Sequence, residues 1–192
     1  MTELHPDHLL SSQVLDPQQK AVCVDIARAG MLPSQVFFDQ LNALVNSEGL
    51  RQDHIYAARM TNEKNEVTHT ELSASKIGGD IQGRLVLIPD PMGATGRSLC
   101  EVIQFYKEKV PGQAKAFISA HLIVTPEFIR QVHNQHPDVH IYAVRLDRGF
   151  SSQKALSASP GQFWQEEKGL NDSQYIVPGA GGVGELINNS FV

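Results

Sequence analysis

An α/β fold, with one central, mostly parallel sheet flanked by helices and a protruding β-hairpin, is what this 192-residue sequence predicts. Three observations lead there. Short branched-aliphatic runs alternate with stretches of helical periodicity, the pattern of parallel strands joined by right-handed crossovers. One such run, Leu85-Val86-Leu87-Ile88, ends in a glycine-rich turn from which a helix begins, at Arg97-Ser98. Two further β-rich segments sit on either side of a polar turn and read as a hairpin. The length and a hydrophobic content of 41% suit one domain, spanning residues 1–192, with a sizeable core.

Each element follows from local pattern. Residues 1–19 are polar, broken by Pro6 and Pro17, and read as an N-terminal arm. Residues 20–26 form a buried strand ending in Ala27-Arg28-Ala29-Gly30. Pro33-Ser34 opens an amphipathic helix with Val36, Phe37, Leu41, Leu44 and Val45 at helical spacing, closed by Gly49. Residues 54–59 and 67–72 are the hairpin strands, with Thr61-Asn62-Glu63-Lys64-Asn65 as their turn. After the strand at 85–88, Leu99, Val102, Ile103 and Tyr106 mark a helix to about Val110. A strand at 114–124, a helix from Pro126 to about His136 and a strand at 139–146 continue the alternation. Residues 151–168, with Pro160-Gly161 and Trp164, read as an irregular insertion. Residues 175–184 form a short strand running into a glycine-rich loop, then a helical turn.

Composition narrows function. The net charge of −5 comes without a basic run, which argues against nucleic acid as a partner. An anionic substrate must then be held by local groups and Mg²⁺. Cys23 and Cys100 lack metal or redox spacing and read as reduced core thiols. No signal peptide or membrane-length apolar run is visible, so a cytoplasmic protein is expected. His133, His136 and His140 form a helix stop and strand start, not a zinc site, while His5 and His8 carry no signal. No resident metal cluster is expected.

The turn at 89–98 carries the chemistry. Backbone amides at a helix start, with the hydroxyls of Thr95 and Ser98, converge on an anion. A lone carboxylate, Asp90, would be repelled by phosphate unless it accepts hydrogen bonds from sugar hydroxyls. A 5-phosphorylated ribose satisfies both. The absence of GxxxxGK[ST] and of GxGxxG excludes the common nucleotide loops here. Arg28, after a buried strand, faces a cleft or has a salt-bridge partner. Arg59 read alone is a surface charge. Tyr175-Ile176-Val177-Pro178-Gly179-Ala180-Gly181 would bring main-chain groups close to a flat ligand.

The stretch D-P-M-x-A-T-G-x-S, Asp90 to Ser98, resembles the phosphoribosyl-diphosphate motif of uracil phosphoribosyltransferases, with Pro91-Met92 as the distinguishing pair. The resemblance spans roughly 20–184 and implies a type I phosphoribosyltransferase fold in a homodimer or higher homo-oligomer. It implies conversion of uracil and phosphoribosyl diphosphate to UMP and diphosphate, with Mg²⁺ as cofactor. Arg28 ("RAG") and Arg59 would contact diphosphate and, with Asp90, form the catalytic set. Asp90, Pro91, Met92, Gly93, Ala94, Thr95, Gly96, Arg97 and Ser98 would bind the ribose phosphate. Tyr175, Ile176, Gly181, Gly182 and Val183 would hold the base. Three departures stand out: a short N-terminal segment, the 151–168 insertion, and Gly182 where the family motif G-D-A-G-D has an aspartate. Two readings follow, an active phosphoribosyltransferase for uracil or a related pyrimidine, and a catalytically impaired homologue that binds phosphoribosyl diphosphate or a nucleotide as a regulatory or interaction protein.

Overall fold

The computed structural model describes residues 12–61 and 67–189, with the side chains at 58–61, 67–71 and 73 outside that description. Strand β1 (Ala21–Ala27) lies at the centre, paired in parallel to β2 (Leu50–Thr61) on one side and β4 (Leu85–Pro89) on the other. The antiparallel β3 (Val67–Lys76) completes the hairpin with β2. Beyond β4 comes β6 (Ala116–Val124), to which β5 (Met92–Gly93) and β7 (Val139–Leu146) also pair in parallel. This is the mostly parallel sheet that the sequence predicts. Both hairpin strands run longer than expected. Thr61, assigned to the turn, belongs to β2, and 62–66 lie outside the described residues.

The main core lies on one face of the sheet. Val22, Val24, Ile26, Ile55, Val86 and Ile88 meet Leu99, Val102, Ile103 and Tyr106 of α2 (Arg97–Lys109) and Phe128 and Val132 of α3 (Pro126–Gln135). Full burial of such side chains contributes about 1.5–3 kcal/mol each. A buried polar contact fixes α2 over the hairpin base: Tyr106 donates to Asp53 Oδ2 at 2.9 Å, and Arg51 Nε reaches Asp53 Oδ1 at 3.0 Å. Burial and the Asp53 charge push the Tyr106 hydroxyl pKa well above its usual range.

The opposite face is covered differently from expectation. Helix α1 (Met31–Asn42) starts before Pro33 and ends well short of Gly49. Asn46 instead accepts from the Glu48 amide and caps a separate 3-10 turn, Ser47–Gly49. Phe38 and Leu41 pack on Ala21, Cys23 and Leu87, whereas Val36, Phe37 and Leu44 are exposed. Apolar residues lie nearly all round this helix, so spacing alone did not select its buried face.

The helix stop at His136 and the burial of both cysteines are as the sequence predicts. Buried His136 caps α3, and its Nε2–H donates to the Cys100 carbonyl at 3.1 Å. Cys23 and Cys100 are buried free thiols, and burial pushes their pKa values up to about 12 and about 11. Segment 151–168 is turn and coil apart from two short helical pieces. It carries α4 (Gln153–Leu156) and a 3-10 turn (Trp164–Glu166) around fully buried Glu167, which lies 3.2 Å from Arg148. Arg148 also donates to the carbonyls of Ala155 and Ala158, and Arg130 of α3 donates to those of Trp164 and Glu167. These charged donors organise a chain segment whose apolar content is low.

Candidate active site

The predicted strand, loop and helix are present, with one refinement. Strands β4 and β5 share one register against β6, since Pro89 faces Ala120 and Met92 faces Ile123. They are one strand interrupted at Asp90-Pro91. Proline has no N–H to continue a ladder, and the Pro91 carbonyl instead accepts from both Leu122 and Ile123, at 3.1 Å each. Asp90 is half-buried at this break. Its amide donates to the Ala120 carbonyl, its carbonyl accepts from His121 Nδ1 at 2.6 Å, and its Oδ1 accepts from the Met92 amide at 3.1 Å. Met92 and Gly93 are therefore strand, and the tight turn is confined to Ala94, Thr95 and Gly96.

That turn is fixed by groups which sequence reading did not single out. Thr125 donates its N–H to the Gly93 carbonyl and its hydroxyl to the Ala94 carbonyl at 2.6 Å. The same hydroxyl accepts from the Phe128 amide and caps α3. Thr-Pro is a helix-start signal, but its hold on the turn arises only in three dimensions. Gly96 has φ +78°, and a Cβ there would lie 3.1 Å from the Phe128 carbonyl. The N-cap of α2 is Gly96, which has no side chain, and the Thr95 hydroxyl accepts from the Arg97 amide at 3.4 Å, with Ser98 in the same first turn.

Arg28 is exposed at the carboxyl end of β1, and the Ala27–Arg28 peptide is cis. Gly30, two residues on, has no room for a side chain: a Cβ would lie 2.7 Å from the Ile26 carbonyl and 3.2 Å from that of Pro89. This close packing sets the Arg28 turn beside the Asp90 strand. The Arg59 backbone lies in β2, opposite Thr70, beyond the level at which β1 ends, and its side chain is outside the described residues.

The C-terminal segment differs from the predicted strand. Only one bridge forms, Leu170 to Ile176, and Tyr175 is exposed. Two carboxylates order it. Glu127 of α3 accepts from the amides of Gly169 and Leu170 at 3.0–3.4 Å. Buried Asp147, just after β7, accepts from the Gly179 amide at 2.7 Å and pairs with Arg145 at 2.6 Å. Gly179 and Gly181 have φ of +62° and +70°, so the loop turns where only glycine turns easily. Gly182, with φ −78°, needs no glycine. The space that a Cβ there would fill is taken by the Glu185 carboxylate, from the first turn of α5 (Val183–Asn188). A Cβ on Gly184 would lie 3.3 Å from that of Ala29, so the segment ends against the Arg28 turn.

The Arg28 turn, the Asp90 loop and the C-terminal segment thus meet at the carboxyl end of the parallel strands, with β2 carrying Arg59 beside them. A cleft of about 650 Å³ lies against the Thr95–Arg97 end of the loop, lined also by Glu127, Phe150, Lys168 and Asn171 and not by Arg28, Asp90 or residues 175–184. Among the described residues, no three or more His, Cys, Asp or Glu side chains gather as a metal cage. The single loop carboxylate fits Mg²⁺ held chiefly by substrate phosphates, which takes one or two protein carboxylates.

A model of the family described as uracil phosphoribosyltransferase matches residues 2–165. The match reaches further into the N-terminus than residue 20 and stops before the loop at 175–184. The uracil phosphoribosyltransferases of Thermoanaerobacter pseudethanolicus and Caldanaerobacter subterraneus subsp. tengcongensis are each 36% identical over 112 residues, 58% of this chain and 42% of theirs. The matched part is therefore less than half the length of those relatives. Among solved structures, a protein from Aquifex aeolicus gives a TM-score of 0.60 at 22% identity, covering 95% of this chain and 77% of that one. Adenine phosphoribosyltransferase from Trypanosoma brucei gives 0.51 at 14% identity, covering 76% and 64%. The fold is that of the type I phosphoribosyltransferases.

Proposed function

The chain belongs to the uracil phosphoribosyltransferase family, and from that premise we propose that it transfers phosphoribosyl from 5-phosphoribosyl 1-diphosphate to uracil. The products are UMP and diphosphate, in a pyrimidine-salvage reaction of the pentosyltransferase class. The observation that carries this reading is the convergence of the Asp90 loop, the Arg28 turn and the Gly179–Gly184 segment at one end of the sheet.

The first turn of α2, with Thr95 and Ser98, takes the 5-phosphate, which aligned N–H groups favour. Asp90 accepts from the ribose hydroxyls. Arg28 and Arg59 hold the diphosphate, where a planar fork of donors matches phosphate oxygens and stabilises charge as the leaving group departs. The bond from C1′ to the diphosphate oxygen breaks, uracil N1 bonds to C1′, and the N1 proton is lost. Mg²⁺ carried on the diphosphate, with Asp90 as the nearby carboxylate, would neutralise part of that leaving charge. Tyr175, Ile176, Gly181, Gly182 and Val183 frame the pyrimidine. Glu185, folded over Gly182, supplies the acid that the closing motif otherwise carries at 182.

Self-association belongs to the same reading. On the side of the sheet that α1 leaves open, Leu122, Tyr142 and Val144 are 58%, 64% and 83% exposed, a larger apolar face than isolated surface residues make. Phosphoribosyl diphosphate is an anionic metabolite of the cell interior, so a cytoplasmic site of action is part of the proposal, without nucleic acid or membrane as a partner. Gly182 is the one observation favouring a binding protein without turnover. Initial rates with radiolabelled uracil, phosphoribosyl diphosphate and Mg²⁺ decide between them. Labelled UMP above a no-protein control is the expected result. No UMP, with phosphoribosyl diphosphate still bound in a calorimeter, would favour the binding protein.

A further inference from the structure

Strand β6 carries a histidine where its buried positions are otherwise apolar or small: Phe117, Ser119 and His121 alternate along its buried face. His121 is 6% exposed. Burying an imidazole here costs free energy unless a specific contact offsets it. That contact is the Asp90 carbonyl, 2.6 Å from Nδ1. A carbonyl only accepts, so Nδ1 carries the proton and Nε2 is the bare nitrogen. Nε2 is buried and has no hydrogen-bond partner among the described residues. The ring packs edge-on against Phe128, centroids 4.7 Å apart, and the same Phe128 lies under Gly93. Burial holds the imidazole pKa down at about 4, so it stays neutral near pH 7.

The register explains why a donor is placed here. Since Pro89 faces Ala120 and Met92 faces Ile123, His121 stands opposite Asp90 at the interruption of the strand. The side chain supplies the donor for a carbonyl that the broken ladder leaves to be satisfied. We propose that His121 is a positioning residue, fixing the Asp90–Pro91 peptide plane so that the Asp90 carboxylate is aimed at the ribose of phosphoribosyl diphosphate. This rests on the substrate reading above.

The test uses the full chain and calorimetric binding of phosphoribosyl diphosphate with Mg²⁺, which needs no turnover. His121→Leu fills similar space without a donor. His121→Asn keeps an amide N–H at the same number of bonds from Cα as Nδ1. His121→Leu is expected to weaken binding about tenfold, the effect of one lost hydrogen bond. His121→Asn is expected to bind within about twofold of wild type, since its amide restores that bond. Wild-type affinity in His121→Leu, or loss in both variants, overturns the inference and leaves the function reading standing. Absence of binding to the wild-type protein overturns both. Should His121→Leu not fold, ¹⁵N spectra of histidine-labelled wild type decide: a protonated Nδ1 that shifts on adding phosphoribosyl diphosphate supports the inference. A protonated Nε2, or a signal that does not move, overturns it.

Discussion

Asp90 has its amide, its carbonyl and one carboxylate oxygen tied to protein groups, through Ala120, His121 and Met92. Asp90→Asn keeps an oxygen for the Met92 amide but loses the charge. It should weaken phosphoribosyl diphosphate binding about tenfold, the effect of a lost charge-assisted hydrogen bond, with an unchanged melting curve; calorimetry and thermal unfolding check both. At the closing loop, Glu185→Gln should lower kcat roughly ten- to hundredfold, and Gly182→Asp combined with Glu185→Gln should recover most of it. The backbone at 182 admits aspartate, so failure of this rescue in steady-state assays would remove Glu185 from the site. His121 also sets a pH dependence. The unfolded chain takes up its proton near 6.5, the native one only near 4. This contribution is fully present above pH 6.5 and lost as pH falls through about 4, because the unfolded chain binds more protons in that window. Urea midpoints at pH 7 and pH 5 should differ less in His121→Asn than in wild type.

Among the elements, the segment from β4 to α2 was legible because its signals are local: an aliphatic run, a proline, a glycine at positive φ, then helical spacing. Strand β7 was legible for the same reason. Helix α1 was legible as a helix but not in its buried face, because Met31, Leu32, Val36 and Phe37 make its outward side apolar too. Likewise the chain from 169 to 184 is tied by Glu127 at Gly169 and by Asp147 at Gly179, 42 and 32 residues from the amides they hold. No local pattern carries such pairings. Asp147→Asn loses the charge that holds Arg145 and the Gly179 amide. It is expected to raise KM for uracil severalfold while leaving the calorimetric affinity for phosphoribosyl diphosphate unchanged. A matching loss for both substrates would show that the carboxylate supports the whole fold and not the base loop.

For the molecule as a whole, the sheet is covered by α2 and α3 on one face and only partly by α1 on the other. The part left uncovered among the described residues, around Leu122, Tyr142 and Val144, is the predicted contact between copies. Sedimentation velocity should find a dimer or larger species, which Val144→Lys converts toward monomer. A wild-type monomer at assay concentration would remove this face from the account. The loop that opens α2 is packed from several directions. Its partners are now named: Thr125 and His121 beneath it, Arg28 beside it, and a C-terminal segment held over it by Glu127 and Asp147. ³¹P NMR of phosphoribosyl diphosphate with the protein, Mg²⁺ and uracil tests that arrangement most directly. The account predicts that substrate signals are replaced, in step, by those of UMP and diphosphate, and only when uracil is present. Substrate signals that broaden on binding but persist unchanged with uracil would contradict it.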